Sequence, residues 1–283
     1  MESTAAPAPT NNYRWQPGWP PAIFAFVIYS LIVIGTMKLS GVGYDEFTKS
    51  ADNIFKSVVL SLALGSVFLV VLVTWLRWDF VWRDPGRLSM GKLLWTLPVL
   101  MVIGIIARLA SVHWGDVDMN LVLGIFLAGV LVGFAEETLF RGIWLRSMRV
   151  GGRSEGHAAI FTTIAFGLFH LPNILIGGGA ATFGQVFFAA ATGFGLYLWR
   201  RGFGWIVPAM IIHGTWDMSS FITDFDRAST TSPGMIVAQV LFFVGLAVAV
   251  ASIVVVWRRD KATFWQREGA GINPDAPLVD QKP

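Results

Sequence analysis

The stretch "LAGVLVGFAEETLFRGIWL", Leu127 to Leu145, decides how this chain is read. It has the apolar character of a membrane-crossing helix, which needs roughly 20 mostly apolar residues. Yet Glu136, Glu137 and Arg141 sit inside it. A charge at the bilayer centre costs about 2.5–3.5 kcal/mol even on the lenient insertion scale. Such groups are therefore expected to face one another or a water-filled cavity rather than lipid.

The rest of the chain shares this character. Of 283 residues, 54% are hydrophobic and only 14% charged, against roughly 25% charged in a soluble globular domain. The expected fold is all-α, a polytopic membrane helix bundle of about eight transmembrane helices. Candidate spans lie at about 20–38, 54–76, 92–110, 120–146, 157–176, 183–200, 204–221 and 234–257, the sixth and seventh separated only by "RRGFG". Residues 1–19 read as a Pro-rich, flexible tail, 20–257 as one membrane domain and 258–283 as a cytoplasmic tail. The N-terminus lacks a basic region leading into an apolar core, so no cleaved signal peptide is expected and the first span is a retained anchor. A formal net charge of +3 calls for no nucleic-acid partner. With no cysteine in the chain, disulfides, Cys-ligated zinc and a Cys nucleophile are excluded.

Loop charges suggest an orientation. "LRWDFVWRDPGRLSMGK" carries Arg77, Arg83, Arg87 and Lys92; Arg146, Arg149 and Arg153 follow the fourth span; Arg200 and Arg201 mark the next basic turn; Arg258, Arg259 and Lys261 follow the eighth. The alternate loops "SVHWGDVDM" and "GGGAAT" have no Lys or Arg. Both termini are thereby placed in the cytoplasm. Lys38, Lys49 and Lys56, around the first external loop, count against it.

Few ionisable residues remain inside apolar spans: Glu136, Glu137, Arg141, His170, His213 and, nearer a helix end, Asp217. They come from three spans, so a polar pocket between helices is the economical explanation. Glu137 and Arg141 are i, i+4 and within pairing reach. Glu136 points about a quarter-turn away and is left free for chemistry. "FGLFH" puts Phe166 and His170 on one face, and "HGTWD" does the same for His213 and Asp217. An Asp one turn from a His can orient the imidazole or complete a metal-binding pair. Taken alone, a membrane His is commonly a packing residue and a Glu–Arg pair structural glue. Together, a carboxylate and two imidazoles are the inventory for activating a water.

At these residues the sequence resembles the CAAX protease and bacteriocin-processing family of intramembrane proteases, which includes the Ras-converting CAAX endopeptidase. "EETLFR" matches EExxxR, "FGLFH" matches FxxxH, and "HGTWD" fits HxxxN or HxxxD, in that order and on separate helices, over about Leu121 to Ser220. The resemblance implies an endopeptidase in which Glu136 is the general base, His170 holds and polarises the water, and His213 and Asp217 line the oxyanion side. Glu137 and Arg141 would position the helix and tune Glu136, with Phe166 packed beside the site. The Ras-converting members carry Asn where this chain has Asp217. An ionised Asp cannot donate to an oxyanion, so Asp217 is expected to orient His213, and CAAX-type processing is put in doubt more than peptide hydrolysis itself.

The resemblance further implies a peptide or membrane-protein substrate, lipid-modified or not, within the bilayer of a prokaryotic plasma membrane. No cofactor is expected. A zinc site would have to gather Glu136, His170 and His213 from separate helices, and the chain offers no HExxH pair. Two other readings stand beside the protease: a non-catalytic membrane scaffold or bacteriocin-immunity protein, and a proton-coupled carrier. Pro172 and "GGG" at Gly177–Gly179 are expected to end the fifth span irregularly. Gly193 and Gly195 are read as close helix packing, His113 and His157 as solvated or capping, and Trp75, Trp78, Trp82, Trp199 and Trp205 as interfacial belts.

Overall fold

A computed structural model describes residues 12–84, 86–150, 153–226 and 231–267. The expected tails at 1–11 and 268–283 lie outside the described residues.

Eight long helices form the described chain: α1 (Trp19–Leu39), α2 (Ala51–Leu76), α3 (Lys92–Leu109), α4 (Met119–Arg149), α5 (Glu155–Phe169), α6 (Ala181–Phe203), α7 (Val207–Phe225) and α8 (Pro233–Arg267). Their starts follow local chemistry. Pro20 and Pro21 open α1, where their missing N–H groups cost nothing. Ser50, Asp118 and Ser154 accept hydrogen bonds from the first turns of α2, α4 and α5. Pro172 stops α5, and a 3-10 turn, Leu171–Ile176, carries the chain to Gly177 at φ 96. The irregular end expected there is observed. Between α6 and α7 only Gly204–Ile206 intervene, with Gly204 at φ 75.

Seven of the eight are long and apolar enough to cross a membrane; α7 is the exception. Its sequence carries His213, Thr215, Asp217, Ser219 and Ser220, and it packs most extensively on α4. It tolerates this polarity because much of it faces protein or a cavity. Leu31, Val67, Val71, Phe187, Phe243 and Val250 point outward on other helices, giving the bundle an apolar exterior. The protein is an integral membrane helix bundle.

The two ends of the bundle differ. At one end the connection between α2 and α3 carries Asp84 with Arg77, Arg83 and Arg87. Here the sequence reading is corrected: Arg146, Arg149, Arg200 and Arg201 are not loop charges but helical residues, with Arg200 and Arg201 fully buried. The reason is two acids, one with a fully buried side chain, Asp84, and one nearly so, Glu155. Asp84 lies 2.9 Å from Arg201, 3.2 Å from Arg200, 3.3 Å from Arg149 and 3.4 Å from Arg146. Glu155 takes Arg201 at 2.7 Å and Arg149 at 3.0 Å, and accepts a hydrogen bond from the Tyr197 hydroxyl. Asp84 itself is held by its backbone N–H donating to the Gly204 carbonyl.

At the other end, side chains tie the remaining loops together. Thr48 donates to Asp224, and Asp226 accepts from the backbone N–H of His113 and contacts its ring. Asn173 donates to Gln185, which donates to the Tyr44 hydroxyl. Burial pushes the Tyr44 hydroxyl up to about 12, so it stays a neutral phenol.

Candidate active site

The site is built on a change of helix type. Helix α4 is α-helical to Glu137 and then π-helical over Thr138–Trp144 before resuming. Such wide turns are rare and frequently mark functional sites. Glu136 and Glu137 end the α-helical part, and Arg141 lies in the middle of the π-turn.

Glu137 is the anchor. Its Oε1 accepts from Arg141 Nη1 at 2.8 Å, the pairing expected from spacing, and stands 2.8 Å from His213 Nδ1. All three side chains are buried. Arg141 is fixed twice more. Its Nη2 donates to the Gly193 carbonyl at 2.6 Å, and its guanidinium lies 4.3 Å over the Phe166 ring. A desolvated cation over an aromatic face contributes about 2 kcal/mol.

Phe166 joins the motifs. Its ring meets His170 edge-on at 5.2 Å and His213 at 5.4 Å. His170 Nδ1 lies 2.9 Å from the Phe166 carbonyl. A carbonyl only accepts, so Nδ1 carries the proton and Nε2 keeps its lone pair in the neutral ring.

Glu136 is placed differently. Its Oε2 is buried and has no hydrogen-bond partner, with His213 Nε2 at 3.9 Å. His213 Nε2 is also 3.8 Å from Asp217 Oδ2. Both separations exceed a hydrogen bond. The group that orients His213 is therefore Glu137, from another helix, rather than Asp217 one turn away. Asp217 instead shares its surroundings with Arg108 of α3, whose guanidinium donates to Ser220 at 3.1 Å and stacks 4.1 Å over Trp216.

A cavity of about 690 Å³ opens in front of these groups, within the roughly 300–1,000 Å³ usual for ligand sites. Glu136, Phe166, His170, His213 and Asp217 line it, while Glu137 and Arg141 stand behind. The wall is otherwise largely apolar, from Val33 and Met37 of α1 to Phe242 of α8. Among the described residues, no group of three His, Asp or Glu side chains is spaced to hold a metal ion.

Two features of the site escaped the sequence reading. Arg108 is an ionisable residue inside an apolar span and met the same criterion as Glu136. The other is glycine packing between α4 and α7. A Cβ at Gly133 would overlap the Met210 carbonyl oxygen, and one at Gly214 would lie 2.5 Å from that of Gly129. The spacing Gly129–x₃–Gly133 is the small-xxx-small signal for close helix approach, and here it brings His213 to Glu137. Gly193, read as close packing, also leaves room for Phe166 and Arg141. Gly133→Val is expected to push α7 off α4. It should destabilise the protein by more than the about 1–3 kcal/mol usual for overpacking, because the obstacle is backbone, and so lower the thermal unfolding midpoint in detergent.

Comparison with known protein families matches residues 118–219 to the family described as type II CAAX prenyl endopeptidase Rce1-like. All seven motif residues fall in the matched segment, and the resemblance drawn from the motifs is borne out there. The match supports a membrane-embedded peptidase. No curated protein and no solved structure matched.

Proposed function

We propose that the protein is an intramembrane endopeptidase that hydrolyses a peptide bond with a water activated by Glu136 and His170. The observation that carries this reading is that Glu136, His170 and His213, from three helices, line one cavity, with the His213 ring fixed from behind by Glu137.

The steps follow from the donors and acceptors. Water entering the cavity is held by Glu136 and by the lone pair of His170 Nε2. Glu136 takes its proton as the oxygen attacks the carbonyl carbon, and the negative charge moves to the carbonyl oxygen. An imidazolium at His213 donates from Nδ1 to Glu137 and from Nε2 into the cavity, toward that oxyanion. Glu136 then returns the proton to the leaving amine as the C–N bond breaks. Asp217, near Arg108, flanks the same oxygen without having to donate to it. Water is supplied by the cavity, so the reaction balances with no further reactant.

The reading is of the glutamate type, and the substrate is a peptide or membrane-protein segment whose apolar part, lipid-modified or not, can lie along the apolar cavity wall. The test is cleavage of a quenched peptide library by the purified protein in detergent, with His170→Asn as control. Cleavage lost in His170→Asn and indifferent to chelator supports it. Loss with chelator and recovery with zinc would move Glu136, His170 and His213 into a metal site. No cleavage by a folded wild type would favour a scaffold or immunity protein.

A further inference from the structure

We propose that Arg108 is a positioning residue of this site: it is the counter-charge that lets Asp217 stand beside the oxygen on which negative charge develops. The catalytic consequence rests on the peptidase reading above; the pairing of the two side chains does not.

Asp217 poses a problem that its own helix does not solve. It shares the cavity wall with two further acids, Glu136 and Asp224. Like charges brought together away from bulk water repel strongly. Asp224 accepts a hydrogen bond from Thr48. For Asp217 the imidazole one turn away is already engaged: His213 Nδ1 lies 2.8 Å from Glu137, whereas its Nε2 is 3.8 Å from Asp217 Oδ2, beyond a hydrogen bond. A bare carboxylate at 217 would oppose the charge gathering on the carbonyl oxygen and so work against His213.

Helix α3 supplies the missing cation. Arg108 lies in its last turn, and among the described residues lining the cavity it is the one arginine, with no lysine beside it. Its guanidinium is tied to α7 on both sides of Asp217. It stacks 4.1 Å over the ring of Trp216, the residue before Asp217, and Nη1 donates at 3.1 Å to Ser220 Oγ, three residues after it. Residues i and i+3 share a helical face, so Ser220 brings the guanidinium to the side on which Asp217 projects. Ser220 is itself held, its hydroxyl donating to the Trp216 carbonyl at 3.0 Å. Arg108 and Asp217 then act on each other through the cavity without a direct hydrogen bond. A guanidinium clamped next to an acid of the chain is poorly placed to capture an anionic group of a substrate, which Asp217 would repel. Arg108 also lies outside the matched residues 118–219, so the motifs do not account for it.

The test is a double-mutant cycle on the full-length protein in detergent: wild type, Arg108→Gln, Asp217→Asn and the two combined. Each is assayed by thermal unfolding and by hydrolysis of the quenched peptide that the wild type cleaves best. Arg108→Gln is expected to lower kcat about tenfold with KM little changed, a size usual when neighbours in one charge network are uncoupled. Adding Asp217→Asn should restore most of that loss, because a neutral amide needs no counter-charge. The unfolding midpoint should fall further when Arg108→Gln is made in the wild type than when it is made in Asp217→Asn. A raised KM at unchanged kcat would overturn the inference and make Arg108 an anchor for an anionic group of the substrate. So would a kcat that Asp217→Asn does not recover, or midpoint losses that simply add. Should Arg108→Gln not fold, Arg108→Lys keeps the charge and gives up the planar fork. Retention of most of the wild-type kcat then supports the counter-charge, and a loss of about tenfold would assign Arg108 to packing on Trp216 instead. If no form cleaves, coupled midpoints leave the pairing standing and count against the peptidase reading, whereas additive midpoints sink the pairing itself.

Discussion

Replacing Glu136 by Gln is expected to leave the bundle folded and to cut peptide hydrolysis by about 10²–10⁴-fold, the usual contribution of a positioned general base. The fold should survive because Glu136 Oε2 makes no hydrogen bond that an amide would lose. His213 Nε2, at 3.9 Å, is beyond hydrogen-bond reach. Chemistry should not survive, because an amide cannot take a proton from water. The contrast with Glu137→Gln makes the expectation specific. Glu137 carries the bonds to Arg141 and His213 at 2.8 Å each, so its replacement should lower both activity and the unfolding midpoint. Activity and thermal unfolding, measured on the same detergent preparations, distinguish the two carboxylates. Equal cleavage by wild type and Glu136→Gln would sink the assigned role of Glu136.

The separation of these two roles was half visible in the sequence. Helical spacing put Glu137 with Arg141, which the 2.8 Å contact matches, while Glu136, left free by spacing, stands 3.9 Å from His213 Nε2. What spacing could not show is which carboxylate meets His213. Within HGTWD the i+4 rule offers Asp217, but the α4–α7 approach set by Gly129, Gly133 and Gly214 brings Glu137 closer. Contacts within one helix are readable from period, whereas contacts between helices depend on how near the backbones come. Likewise the eight helices followed from apolar runs, while the reach of α7 did not follow from hydropathy, because a helix lining a cavity need not be apolar. The arginine end was misread for the complementary reason. A sequence shows arginines at helix ends and cannot show that Asp84, from a distant loop, will be folded in among them.

That loop carries the second large effect. Asp84→Asn is expected to destabilise the protein by about 3–5 kcal/mol, the cost of removing one partner from a buried ion pair. Its carboxylate is fully buried and faces four guanidiniums. Glu155 remains for Arg149 and Arg201, but Arg200 loses its carboxylate and stays buried. A loss of this size is a large share of the about 5–15 kcal/mol that holds a typical domain together, so the variant should accumulate poorly and unfold at markedly lower temperature. The effect has a pH signature. Burial opposes ionisation of Asp84, but Arg201, Arg200, Arg149 and Arg146 outweigh it and hold its carboxyl below the ordinary value of 3.8. A folded-state pKa below the unfolded one means that the stabilisation is complete above the unfolded value and is lost as pH falls through the folded one. The gap in unfolding midpoint between wild type and Asp84→Asn should therefore be constant near neutrality and close only in acid below the ordinary carboxylate range. A gap that closed already between pH 5 and 7 would mean that some other group holds the arginine end together.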